Sequence, residues 1–179
     1  DKDGECAAVA ATVTVRRAQL MAVPMTAAQG VYLQDFNALP TNGMDNLWDN
    51  AAEPLPAWHA YVNASAVASQ RTGTGSGTSG GLYSFGADQS PDRSLGSLAS
   101  AGNTCRYGVA FTNLTGLAVT NLTVSFTAEQ WRAANGATNA LVFEYCLTNR
   151  VVPLNQGIWC RVNALCFDSP LVTNAAQPY

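Results

Sequence analysis

Charged side chains are scarce in this sequence. They make up 12% of the 179 residues, against roughly 25% in an ordinary soluble domain, and Lys2 is the only lysine. The formal net charge is -3, with no cluster of basic residues, so we expect no nucleic-acid partner. Ser, Thr, Asn and Gln must supply the polar surface, which is typical of exposed strands and glycosylated surfaces.

Long hydrophobic runs are also missing. No apolar stretch approaches the roughly 20 residues that a membrane-spanning helix needs, so we expect no membrane span. The amino end has no charged-then-apolar targeting segment. Because the chain begins at Asp1 rather than Met, we interpret it as a processed or excerpted part of a longer protein.

Metal-binding patterns are absent as well. His59 is the only histidine, and the cysteines show no CxxC or Cys/His spacing, so we expect no zinc site. Structural calcium stays open as an alternative at Asp35, Asp45, Asp49 and Asp88, although no EF-hand-like spacing supports it. No other cofactor is expected.

Catalytic patterns are not found either. His59 has no Ser or Cys nucleophile motif around it. Glu129 and Glu144, which would have to act together in a glycosidase, both fall on the polar side of predicted strands. The Gly-rich run 73–81 lacks the Lys-Ser/Thr ending of a phosphate-binding loop. We therefore predict that the chain is not an enzyme.

The cysteines and glycosylation motifs that are present indicate an extracellular or cell-surface location. There are five cysteines, and in an exported protein they are expected to form disulfides, with one left unpaired. Three Asn-X-Ser/Thr motifs predict glycans at Asn63, Asn113 and Asn121. Glycans are also possible binding partners, through the aromatic residues described below.

Apolar and polar residues alternate in several short segments, the period of half-buried strands. The first is residues 7–17. We treat residues 1–17, which contain this strand, as a unit separate from the module 18–179. Short strands separated by Gly, Asn and Pro turns predict an all-β fold, either a sandwich or a barrel. The other predicted strands are 31–36, 82–86, 105–113, 122–129, 140–148 and 158–167.

One disulfide is predicted from symmetry. Cys146 and Cys160 are equidistant from Pro153 in a turn-forming stretch, so they face each other if the flanking strands form a hairpin. The partners of Cys6, Cys105 and Cys166 stay unassigned.

Aromatic residues offer a candidate sugar-binding surface. Trp131, Trp58 and Tyr61 are possible ligand residues because aromatic faces pack against pyranose rings. The alternative, which we favour, is that these side chains pack in the core.

From about residue 31 onward the sequence resembles a repeated module of secreted bacterial surface proteins, found beside lamin-tail, extracellular nuclease and PEP-CTERM sorting domains. The resemblance implies a jelly-roll-like sandwich without enzymatic activity, used as a spacer or adhesive. The cysteines and the sequon density depart from that pattern. The residues that carry it are QDFNALP (34–40), LPAWHAY (55–61), GGLYSFGA (80–87), DRSLGSLAS (92–100), YGVAFTNLTG (107–116), LTVSFTAEQWR (122–132), ALVFEYC (140–146) and VNALCFDSP (162–170).

The module's usual ending is missing after Pro170, and residues 1–15 resemble that ending placed in front. Strand 7–17 is therefore expected either to complete its own sandwich or to be donated to a neighbouring copy, which would give a head-to-tail filament. An irrelevant extension is the third alternative. The leading hypothesis is a structural glycoprotein subunit that binds copies of itself. The runner-up is a carbohydrate-binding or adhesive accessory module of a larger secreted protein.

Overall fold

A computed structural model describes residues 21–27, 30–50, 52–100, 102–173 and 177–178. The predicted strand 7–17 and Cys6 lie outside these ranges. Within them, the single helical element is one 3-10 turn, Asn163–Leu165, and no helix is long and apolar enough to cross a membrane. The expected all-β class is confirmed, with sheets that are mostly antiparallel.

The strands are short. In chain order they are β1 Val23–Met25, β2 Asn46–Leu47, β3 Trp58–Val62, β4 Ser65–Ala66, β5 Ser69–Gly73, β6 Gly81–Phe85, β7 Ser94–Leu98, β8 Cys105–Val109, β9 Phe111–Asn113, β10 Arg132–Asn135, β11 Ala140–Leu141, β12 Glu144–Tyr145, β13 Cys160–Arg161, β14 Phe167–Asp168, β15 Val172–Thr173 and β16 Gln177–Pro178.

Two sheets hold most of the packing. One has the order β2-β5-β6-β7 and the other the order β4-β3-β8. Their longest ladders are antiparallel: β6 pairs with β7 from Gly81 opposite Leu98, and β3 pairs with β8 from Trp58 opposite Val109. In the first sheet β5 runs parallel to β6.

The hydrophobic core draws residues from both sheets and from the loops before them. Leu39, Trp48, Leu55, Ala60, Leu82 and Leu95 are buried together, and Trp58 and Tyr107 pack against them. The loop residue Trp48 is 2% exposed, and its indole Nε1 donates to Asn50 Oδ1 at 2.7 Å. The Pro-rich loop region 40–58 thus contributes core residues as well as turns.

A buried arginine ties β6 to β7. Arg93, at 3% exposure, donates through Nε to Ser84 Oγ at 2.9 Å and through a terminal nitrogen to the Ser84 carbonyl at 2.6 Å. Its other terminal nitrogen donates to the Ala87 carbonyl. These neutral acceptors satisfy the guanidinium, whose pKa burial lowers and the charge of Asp92 raises.

Strand β1 lies beside β9 in a parallel pair. Val23 N donates to the Ala110 carbonyl, and Leu114 N donates to the Met25 carbonyl, each at 2.8 Å. His59 of β3 adds a third contact, since its Nε2 lies 2.8 Å from the Met21 carbonyl. The start of the described chain is therefore fixed to the β3-β8 sheet.

The sequence predictions of individual strands have mixed outcomes. The strands predicted at 82–86 and 105–113 are confirmed as β6 and as β8 with β9, which Ala110 separates. Residues 31–36 and 122–129 belong to no strand, so those two predictions were wrong. The stretches 140–148 and 158–167 contain only two-residue strands, β11 to β14.

The expected hairpin around Pro153 forms, but its register differs by one residue. Tyr145, not Cys146, lies opposite Cys160 in the β12-β13 pair. Successive side chains of a strand point to opposite faces, so this register does not direct the two thiols at each other. Cys105, Cys146, Cys160 and Cys166 are all free thiols, and the predicted disulfide has no support in the described chain.

Candidate assembly surface and polar cleft

One continuous stretch of the chain is exposed to solvent along its whole length. Every residue from 116 to 127 is exposed and belongs to no strand; we call it the open segment. Its apolar side chains include Leu117, Leu122 and Phe126, which are 77%, 62% and 45% exposed. The strand predicted here was expected to bury the side of Leu122, Val124 and Phe126, and the structure instead exposes it.

The open segment is held at both ends. At its start, Asn113 Oδ1 accepts from the backbone N of Thr115 at 3.0 Å, while Asn113 Nδ2 donates to the Leu117 carbonyl at 2.7 Å. At its end, the ring of Phe126 stacks on Phe143, with 6.0 Å between centroids and 15° between planes. These contacts position the segment as an exposed connection rather than a free tail.

A stack of three aromatic rings follows the open segment. Tyr83, Phe85 and Trp131 lie nearly parallel, with centroid separations of 5.0 and 6.1 Å. Tyr83 is buried and Trp131 is half-buried, so the stack runs from the core to the surface. The indole of Trp131 donates to Glu129 Oε2 at 3.0 Å, and the Ser94 hydroxyl donates to the same oxygen.

The other two predicted ligand residues lie elsewhere. Trp58 is half-buried, packs edge-on against Phe36 and donates from Nε1 to the Tyr32 hydroxyl at 2.9 Å. Tyr61 is buried on the same strand. In the described chain no ring contact joins Trp131 to either, so the three residues do not make one sugar-stacking platform.

A polar cleft of about 290 Å³ opens at the end of the β3-β8 sheet and is lined by Asn63, Thr104, Arg106 and Asn155. Arg106 donates to the Leu154 carbonyl at 3.3 Å, and Asn155 Nδ2 donates to the Ala64 carbonyl at 2.8 Å. Asn155 Oδ1 is buried without a hydrogen-bond partner in the described chain. The cleft thus presents one guanidinium and uncharged polar groups.

The predicted glycosylation sites differ in how their amides are bound. Asn63 Nδ2, the atom that would carry a glycan, donates to the Gly102 carbonyl and to Asn103 Oδ1. Asn113 Nδ2 is bound to the Leu117 carbonyl. Asn121 lies in the open segment, and its side chain forms no hydrogen bond with the described residues. All three side chains are exposed.

The single histidine has a structural position. His59 is 2% exposed, and its Nδ1 lacks a partner among the described residues. Burial lowers the pKa of His59, an effect that its hydrogen bond to Met21 partly opposes. Its Nε2 is bound to a backbone carbonyl rather than to a nucleophile. In the described residues no group of three His, Cys, Asp or Glu side chains is placed to hold a metal ion.

No family model, curated protein or solved structure matches this chain. The resemblance to a repeated surface module therefore stays a prediction. Residues 122–127 of the open segment were predicted to lie in a strand, and they have no partner strand in the described chain.

Proposed function

We propose that this chain is a structural subunit of an extracellular assembly whose copies join head-to-tail by β-strand complementation. The observation that carries the proposal is the open segment, which alternates apolar and polar residues as a strand does but has no partner strand in the described chain. Unpaired, alternating segments accept strands from other chains. Residues 7–17 alternate in the same way and are the proposed donor.

The proposal includes a fold, a set of glycosylation sites and a location for the subunit. The subunit is a jelly-roll-like antiparallel sandwich, glycosylated at Asn63, Asn113 and Asn121 and exported to the cell surface. It acts as a non-catalytic repeat module. The exposed thiol of Cys160 and the half-buried thiols of Cys105, Cys146 and Cys166 are available for disulfides in an oxidising compartment.

Deleting residues 1–17 tests the proposal. We expect the full chain to form filaments in electron microscopy and the shortened chain to stay monomeric. Adding a peptide of residues 1–17 is expected to bind the shortened chain and raise its melting temperature, because a bound strand stabilises the folded state. A full chain that stays monomeric at high concentration would count decisively against the proposal, as would unchanged assembly after the deletion.

A glycan-binding accessory module is the second candidate, favoured by the polar cleft. A guanidinium beside carboxamide and hydroxyl groups suits a small polar ligand with a negative charge, such as an acidic sugar. Here Arg106→Ala is expected to abolish binding on a glycan array. Trp131→Ala, on the other candidate surface, is the matched control. Binding lost only with Trp131→Ala would move the site to the aromatic stack.

A further inference from the structure

The open segment leaves a long run of backbone groups without partners in the described chain. Within the described chain, no backbone N–H or carbonyl between residues 118 and 128 forms a hydrogen bond. Leu122, Val124 and Phe126 occupy alternate positions and are all exposed, while Thr123 and Ser125 occupy the positions between them. An extended strand laid along this segment would gain both a hydrogen-bond ladder and an apolar face.

Residues 8–16 match this acceptor in one register. With Val9 opposite Leu122, each later apolar residue of the donor meets an apolar residue: Ala11 meets Val124, Val13 meets Phe126 and Val15 meets Ala128. The residues between are Thr or Ala opposite Asn, Thr and Ser. Each apolar residue of the donor thus meets an apolar residue of the acceptor, which favours packing across the pair.

Charge selects the direction of this pairing. In the parallel register Arg16 falls opposite Glu129, an exposed residue whose Oε2 also accepts from Trp131 Nε1 and from the Ser94 hydroxyl. In an antiparallel alignment of the same segments Arg16 and Arg17 would lie at the uncharged end near Thr120. We propose, as a deepening of the proposed function and resting on it, that residues 8–16 of one copy bind in parallel along residues 121–129 of the next.

The parallel β1-β9 pair fits a donor that comes from a second copy. β1 begins beside the start of β9, because Val23 N donates to the Ala110 carbonyl. The open segment leaves from the other end of β9, after Asn113. Donor and acceptor sequences therefore attach to opposite ends of one strand pair, the head-to-tail geometry of a non-closing polymer.

Two variants separate the donor function from the acceptor function. Val124→Asp with Phe126→Asp should leave a donor-only chain, and deletion of residues 1–17 should leave an acceptor-only chain. Each is expected to be monomeric alone, and an equimolar mixture should form a one-to-one dimer in analytical ultracentrifugation. Since burying one such side chain changes an association constant by about tenfold or more, the donor-only chain should need at least about tenfold more protein to assemble.

Thr123→Asp with Ser125→Asp is the matched control, because it adds the same charges to the opposite side of the same segment. It should assemble as the wild type does. Equal loss of assembly in both pairs of variants would overturn the proposed face. If melting curves show the Asp pair to be misfolded, Val124→Ser with Phe126→Ser replaces it.

The outcomes separate this inference from the proposed function. Wild-type filaments together with normal assembly of the Val124/Phe126 variant would overturn the acceptor and leave the filament intact. A mixture that stays monomeric while the wild type assembles would show that the strand completes its own sandwich or binds elsewhere. A wild type that never assembles would overturn both.

Charge reversal tests the direction. Arg16→Glu alone and Glu129→Arg alone should each weaken assembly, and the double variant should recover part of the loss. A double variant no better than the worse single variant would contradict the parallel register.

Discussion

Two regions of this molecule use similar residues with different results. In residues 39–109, which we call the packed region, strands β3, β5, β6, β7 and β8 each have five residues, and apolar side chains of β3, β6, β7 and β8 meet in one core. In residues 114–173, the open region, the strands have two to four residues, and Ala133 is the one buried side chain among those whose burial the structure describes. Alternation of apolar residues is present in both, so alternation alone does not bury a strand. A second apolar surface has to meet it.

The largest expected effect contrasts one leucine from each region. Leu82 is 1% exposed and Leu122 is 62% exposed. Leu82→Ala should lower the free energy of unfolding by about 2–5 kcal/mol because it leaves a cavity. Leu122→Ala should change it by no more than about 0.5 kcal/mol. Urea unfolding measures this difference when both variants are made in the chain without residues 1–17, where no donor strand covers Leu122. Similar losses would mean that the open region is packed in solution.

A second prediction concerns a buried amide without hydrogen-bond partners inside the packed region. Gln70 is fully buried, and neither Oε1 nor Nε2 has a hydrogen-bond partner in the described chain. Gln70→Met keeps the side-chain length and removes the unpaired polar atoms, so we expect the free energy of unfolding to rise by about 1–3 kcal/mol.

Gln130 in the open region is the matched control for that substitution. Its amide donates to the Leu171 carbonyl and accepts from Leu171 N. Gln130→Met should therefore lower the free energy of unfolding by about 0.5–1.5 kcal/mol per lost bond. The same sign of change in both variants would refute the distinction between the buried, unpaired amide of Gln70 and the half-buried, paired amide of Gln130.

The smallest expected effect is a pH dependence at the junction of β1 with the packed region. Burial lowers the pKa of His59 below its ordinary value of 6.5, so as the pH falls below about 6.5 the unfolded chain takes up a proton before the folded chain does. Stability is therefore complete above that pH and declines as the pH falls towards the lowered folded pKa.

Because His59 is the only histidine, no other histidine can contribute to this pH dependence. The free energy of unfolding of the wild type should fall between pH 7 and pH 5.5, a range above the ordinary pKa values of carboxyl groups. His59→Gln should remove that slope. An equal slope in both proteins would assign the dependence to other groups.

The all-β class and the strands at 82–86 and 105–113 were predicted correctly from the sequence. β6 shows why. Leu82, Tyr83, Ser84 and Phe85 are all buried, and a short apolar run bounded by glycines is a strong strand signal. β5, with the sequence SQRTG, carries no such signal. It becomes a strand because β2 and β6 offer hydrogen-bonding edges on both its sides, and neighbours of this kind are set by the fold.

The candidate site was only partly predictable for the same reason. Residues 122–129 alternate as clearly as any segment in the chain, yet whether a partner strand is present depends on contacts far along the chain. The hairpin at Pro153 was placed correctly, but its register was off by one residue, which separates Cys160 from Cys146. Turn geometry sets such registers, and turn residues alone leave more than one geometry open.

The parallel β1-β9 pair has a mechanical consequence. In a fibre built as proposed, pulling force enters β1 from the Met21 end and leaves β9 from the Asn113 end. Because the strands are parallel, these are opposite ends of the pair, so tension slides one strand along the other and loads their hydrogen bonds together rather than one at a time. Pulling the two strands apart along their length would then need more force than separating them sideways, one hydrogen bond at a time. A filament that carries load benefits from junctions of this kind.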